Sequence, residues 1–259
     1  MKLLKTLLAA VCLSLTAATA HADALTDIQG AGVLKVAVPQ DFPPFGSVGL
    51  DLQPQGYDID VARLLAKGLG VKVELVPVTS ANRIPYLQTK KVDLVISSLG
   101  KNPEREKTID FSIAYAPFFL AVFGPQDAKI TSADALAGKT VGVTRGSVED
   151  LELSKIAPPT ADLKRFEDNN TTISAYLSGQ VGLIATGNVV IAAIAAKNPP
   201  RLPVEQFKLK NSPCFIGLNK NEPALQAKVN ELIEAAKKDG SLDAISKKWL
   251  KMPLPDLGA

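Results

Sequence analysis

The chain has 259 residues, 46% of them hydrophobic and 21% charged, with 29 Lys and Arg against 26 Asp and Glu, a formal net charge of +3, two cysteines and one histidine. The length accommodates one large domain or two small ones. The near balance of charge argues against nucleic acid or an anionic membrane surface as partner, and so few histidines and cysteines leave no His/Cys metal cluster.

The first segment reads as an export signal. Lys2 and Lys5 are followed by an apolar run over 7–18, too short to span a bilayer, and then by Ala20-His21-Ala22. This predicts a signal peptide over residues 1–22, cleaved after Ala22, and a periplasmic mature protein. Cys12 sits inside the apolar run rather than after it, which does not fit lipoprotein processing. Removing 1–22 leaves 27 basic against 26 acidic groups and takes away the only histidine. No internal disulfide and no His-dependent triad is then available, and no cofactor or metal is expected. Cys214, within Pro213-Cys214-Phe215-Ile216, reads as a small buried hydrophobe.

From Asp23 onward, strand and helix patterns alternate. A strand over 33–38 ends at Pro39, and a helix over 58–67 follows with Ile59, Ala62, Leu65 and Ala66 at helical spacing and Gly68 and Gly70 at its end. A strand over 71–78, a short helix over 81–89 and a strand over 92–96 complete a βαβαβ run. A second run comprises a strand over 139–144, a helix over 147–155 with Ser147 as cap, a strand over 163–166, a helix over 172–178 capped from Asn170 or Thr171, and a strand over 182–185. The segments 116–124 and 211–219 look like crossings between the runs. Helices over 222–238 and 241–250 close the chain, the first stopped by Gly240.

Several motifs carry no chemistry. Gly138-Lys139-Thr140 lacks the upstream glycine of a phosphate loop, where Ala133 stands. Gly30-Ala31-Gly32 precedes its strand and reads as a turn. Asn169 and Asn170 each begin an N-x-T triplet but are better read as helix-cap residues. Three segments follow strands, where an open α/β sheet presents its ligand crevice. Asp41-Phe42-Pro43-Pro44-Phe45 is stiffened by prolines and offers aromatic contact. Arg105 follows Ser97-Ser98-Leu99-Gly100 and can grip a carboxylate with parallel hydrogen bonds. Val143-Thr144-Arg145-Gly146-Ser147 opens a helix whose free N–H groups favour an anion, or it is an ordinary capped turn.

The stretch 82–115, which holds Asp93, Ser97-Ser98 and Pro103-Glu104-Arg105, resembles the polar amino-acid-binding proteins of ABC importers, solute-binding family 3. Pro43-Pro44-Phe45, Gly56-Tyr57-Asp58-Ile59-Asp60, Val141-Gly142-Val143, Asp239-Gly240-Ser241 and Lys248-Trp249 extend the resemblance over the mature chain. It implies a two-lobed α/β periplasmic binding protein of type II. Each lobe is a mostly parallel sheet flanked by helices, and two crossover strands join the lobes. The first lobe takes 23–118 and 216–259, the second 119–215, with ligand between them. The implied function is an extracytoplasmic substrate-binding protein, a monomer, that closes by a hinge on a small carboxylate-bearing solute, an amino acid, and docks on a membrane permease.

The resemblance also implies site roles. Arg105 matches the arginine for the ligand carboxylate. Ser97, Ser98 and Gly100 match the strand end that bonds ligand, Phe42 the ring that packs on it, and Gly146, Ser147 and Val148 the turn that completes the carboxylate site. The family's ammonium-binding aspartate falls at Gly187, beside Asn188, which accepts hydrogen bonds but has no charge. Either another acid such as Asp41 holds the amine, or the ligand lacks a free α-amine. Two rivals remain open: a dehydratase on the same fold, with Asp41 or Glu149 as its acid, and a sensor subunit for a receptor.

Overall fold

A computed structural model describes residues 23–257; the signal-peptide reading of 1–22 lies outside them. The chain begins with α1 (Ala24–Ala31) and β1 (Val33–Pro39), followed by three short strands, β2 (Asp41–Phe42), β3 (Gly46–Val48) and β4 (Pro54–Gln55). Then come α2 (Tyr57–Leu69), β5 (Lys72–Val78), α3 (Arg83–Gln88), β6 (Leu94–Gly100), α4 (Pro103–Glu106) and β7 (Ile109–Ala116). The middle holds β8 (Phe119–Gly124), β9 (Thr140–Thr144), α5 (Val148–Ile156), β10 (Asp162–Phe166), α6 (Asn169–Leu177), β11 (Leu183–Gly187), α7 (Asn188–Ala195) and β12 (Val204–Asn211). The chain returns through β13 (Cys214–Asn219), α8 (Pro223–Lys238) and α9 (Ser241–Leu250).

Two five-stranded sheets result, ordered β5-β1-β6-β13-β7 and β10-β9-β11-β8-β12. Each is built the same way. Three strands of a βαβαβ run are parallel, as expected, and two further strands join through antiparallel pairings, the first reversed and the second running with the βαβαβ strands. One strand of each sheet runs against the other four, β13 between β6 and β7 and β8 between β11 and β12, so each sheet is mostly parallel, as expected, with a single reversed strand.

Helix α2 shows why sequence gives structure here. Ile59, Ala62, Leu65, Ala66 and Leu69 are buried on one face against β1, β5 and β6, a stripe that recurs at helical spacing. Gly70, at φ 71°, caps the helix by donating its N–H to the Ala66 carbonyl, the left-handed ending that glycine adopts without penalty. Gly56 opens it at φ 143°, where a Cβ would overlap the Phe45 backbone.

The crossings are shorter than the sequence implies. Segment 116–124 is chiefly β8, a strand of the second sheet, and segment 211–219 is chiefly β13, a strand of the first. Only Pro117-Phe118 and Ser212-Pro213 pass between sheets, side by side, with the Ser212 N–H donating to the Phe118 carbonyl at 3.0 Å. Three local readings also change. Gly30-Ala31-Gly32 is the end of α1, with Gly32 its cap. Strand β6 runs on to Gly100, where it pairs with Cys214. Helix α6 starts at Asn169 because the cap is Asp168, whose side chain accepts from the Thr171 N–H at 2.8 Å. Ser147 caps α5 as expected. Cys214 is fully buried, and burial pushes its thiol well above the ordinary range.

Candidate functional site

The carboxyl ends of β1, β6, β9 and β11 face one another across a cleft between the sheets. On the first-sheet side, β6 passes through Ser98 at φ 42°, unusual for a residue with a side chain, where its pairing with β13 shifts register. The Ser98 N–H donates to Asp58 Oδ2 at 2.7 Å, and the Tyr115 hydroxyl donates to Asp58 Oδ1 at 2.6 Å. Asp58 is wholly buried, and that desolvation, against these hydrogen bonds, pushes its pKa up to about 7.

Two arginines flank this strand end. Arg105 lies on α4, whose N-cap Asn102 accepts from the Arg105 N–H at 2.9 Å. Its Nη1 donates to the Gly100 carbonyl at 2.7 Å and its Nη2 to the Gly146 carbonyl of the second sheet's turn at 3.0 Å. Burial lowers its pKa to about 9, nearby Arg83 adding to the effect and Glu149 opposing it. Arg83, the first residue of α3, donates from Nη1 to the Ser97 carbonyl at 2.7 Å and from Nε to the Ser80 carbonyl at 3.1 Å. Burial lowers its pKa as well, with Glu149 the strongest opposing charge. Both guanidiniums spend these bonds on neutral carbonyls.

On the second-sheet side, the β9–α5 turn passes through Gly146 at φ 71° to Ser147, whose hydroxyl accepts from the Asp150 N–H at 3.2 Å. Glu149 follows in the first turn of α5 and is only 6% exposed. Desolvation raises its pKa; its own N–H, the Ser147 hydroxyl, Arg83 and Arg105 pull the other way. The second such corner, β11–α7, is built differently. Phe118 packs against Gly187 where a Cβ would overlap its ring, and Asn188 Oδ1 accepts from the Phe119 N–H at 3.0 Å.

A cavity of about 20 Å³ remains between the halves, bounded by Phe42, Ser98, Gly100, Val148, Glu149 and Asn169 among others. That is room for about one water. Besides Arg105, Asp41 bridges the cleft: its Oδ2 accepts from the Asn169 N–H at 2.6 Å and Nδ2 at 3.1 Å, while Oδ1 has no hydrogen-bond partner. Phe42 stacks on Phe45 at 6.0 Å and tilts on Phe118 at 6.2 Å.

Of the residues singled out in the sequence, Phe42, Ser98, Gly100, Ser147, Val148 and Glu149 line the cavity. Arg105 and Gly146 sit together beside it, and Ser97 lies beneath with its carbonyl on Arg83. Asp41 is turned to the start of α6, Gly187 is covered by Phe118, and the Asn188 side chain is occupied by backbone. Sequence reading did not place Arg83, Asn169 or Phe118 in the site. The one signal for Arg83 is a charged residue in an otherwise apolar Ile84-Pro85-Tyr86-Leu87 segment directly upstream of the β6 strand.

Two mixed sheets, joined by two adjacent crossings and closed over a charged cleft, define a type II periplasmic binding protein. Residues 34–252 match the profile of bacterial extracellular solute-binding proteins, family 3. The chain belongs to that family. It is 29% identical over 227 residues to the L-cystine-binding protein TcyJ of Escherichia coli K12, covering 87% of this chain and 85% of that one. Among solved structures, the solute receptor for L-cysteine of Neisseria gonorrhoeae superposes with a TM-score of 0.80 at 33% identity, over 87% of this chain and 93% of that one. An ancestral amino acid-binding protein described as a precursor of cyclohexadienyl dehydratase gives 0.81 at 33% identity, over 88% and 99%.

Proposed function

We propose that the protein is the extracytoplasmic binding subunit of an ABC importer, exported by the 1–22 segment. It takes a small carboxylate-bearing solute, an amino acid, between lobes 23–118 with 216–259 and 119–215, and delivers it to a membrane permease. Cys214 and Phe215 already belong to the first sheet, so the hinge is the pair of crossings at Phe118 and Ser212.

The observation that carries this reading is Arg105. A buried, charged guanidinium holds one carbonyl from each sheet, so its position depends on closure. A ligand carboxylate placed at the Gly146–Val148 turn would exchange those neutral acceptors for a charge-assisted pair and meet the N–H groups that begin α5. The present cavity is far below amino-acid size, so entry requires the sheets to part at the hinge, and ligand then favours the closed state by its differential affinity.

Arg105→Ala tests this. Leaving a buried carboxylate without its partner should weaken binding by about 100-fold or more, about 2.8 kcal/mol, in calorimetric titration. Binding within about threefold of wild type would remove Arg105 from the site. The protein binds its solute without transforming it; turnover of prephenate or arogenate would overturn that part of the reading.

A further inference from the structure

If the cleft is the solute site, its acids decide what the solute must carry besides a carboxylate. The β11–α7 corner offers none. Gly187 stands there with the Phe118 ring against it, and the Asn188 carbonyl oxygen already holds the Phe119 N–H. Asp41 is not part of the cavity wall, and its Oδ2 is engaged by both nitrogens of Asn169.

Glu149 differs in facing the cavity directly. It is only 6% exposed, and no cationic side chain among the described residues forms an ion pair with it. Arg83 and Arg105 act on it through space, yet none of the ion pairs among the described residues includes Glu149, Arg83 or Arg105. The cleft therefore holds a desolvated anion on one wall and desolvated cations on the other, without contact between them. Buried charges of this kind are stabilised only when paired.

We propose that the solute is zwitterionic and that Glu149 receives its cationic group, an ammonium in the simplest case, while the arginine side takes its carboxylate. This deepens the proposed function and rests on it. Glu149 also acts against the wrong solutes. A dicarboxylate or a 2-oxo acid brings no cation to it, and leaves its charge buried beside a second anion.

The test compares wild type and Glu149→Gln by calorimetric titration. The probes are the L-amino acid, from the standard set and L-cystine, that most raises the wild-type melting temperature, and the 2-oxo counterpart of that amino acid. Wild type should prefer the amino acid. Glu149→Gln should lose about tenfold or more of amino-acid affinity, the scale of one charge-assisted hydrogen bond, and keep or improve its affinity for the 2-oxo acid. Glu149→Asp should retain the preference, with weaker binding overall. The proposal is overturned if Glu149→Gln, with an unchanged unliganded melt, binds the amino acid as wild type does. It is equally overturned if both probes tighten together, since Glu149 then only competes with ligand for the arginines. Wild type binding the 2-oxo acid best overturns the zwitterion while leaving the cleft as the site. Binding of no probe overturns the solute reading with it.

Discussion

Two corners of the second sheet point at the same cleft and have come to opposite uses. At β9–α5 the chain leaves its strand through Gly146, caps the helix with the Ser147 hydroxyl and sets Glu149 in the cavity wall. At β11–α7 the helix begins from Gly187 with no side-chain cap, and an aromatic ring from the hinge crossing lies against it. A strand-to-helix corner is an anion or ligand site only when nothing else fills it. Here one corner keeps its polar groups turned to the cavity, while the other has become packing surface between the sheet and Phe118.

The sharpest way to break that contrast is Gly187→Asp, which puts an acid where the sequence resemblance implies one. In this chain it would drive a charged side chain into the Phe118 ring. The account expects a loss of stability of about 3–5 kcal/mol in urea unfolding, from overpacking and an unpaired buried charge together. In a Phe118→Ala background the added cost of the aspartate should fall by more than half, because the two sites are in contact. A Gly187→Asp protein as stable as wild type would mean the ring does not hold the corner closed.

A smaller effect sharpens the first-sheet side. Asp58 anchors Ser98 and the β6 end, and burial places its pKa up to about 7, above the ordinary value for the unfolded chain, about 3.9. The folded state therefore binds the proton more tightly. Relative to Asp58→Asn, wild type should be most stable below about pH 4 and lose stability as pH rises through about 7, by at most about 1.4 kcal/mol per pH unit. Urea unfolding of both proteins across that window measures the difference. A wild type that gains on the variant with rising pH would reverse the sign and place the Asp58 pKa below its ordinary value.

Much of this was legible before the structure. Helical spacing and strand punctuation located both βαβαβ runs, and Ser147 announced the start of α5. The strands that escaped notice had non-local causes. Strand β12 pairs with β8 through two irregularities, between Glu205 and Phe207 and between Lys208 and Lys210, which break the period of two that a strand reading needs. Strand β7 is an edge strand buried on nearly every residue, so it shows no alternation.

The site divided in the same way. Arg105 and the Gly146–Val148 turn were recognisable from their neighbours along the chain. The engagement of Asp41 with Asn169, across 128 positions, was not. Nor was the ring of Phe118 against Gly187, since antiparallel pairing of β11 with β8 alone brings them together. Arg83 went unnoticed because its partner, the Ser97 carbonyl, lies fourteen positions along the chain on the neighbouring strand.

The central claim is a carboxylate-bearing amino acid held in the cleft, and thermal unfolding of ligand-stripped mature protein against amino acids and their 2-oxo counterparts tests it most directly. At about a hundred times its dissociation constant a ligand adds about 2.7 kcal/mol of stability, a readily measured rise in melting temperature. The account predicts that at least one amino acid produces that rise and that its 2-oxo partner does not. A melt unmoved by every amino acid, or moved most by an amine-free acid, would contradict it.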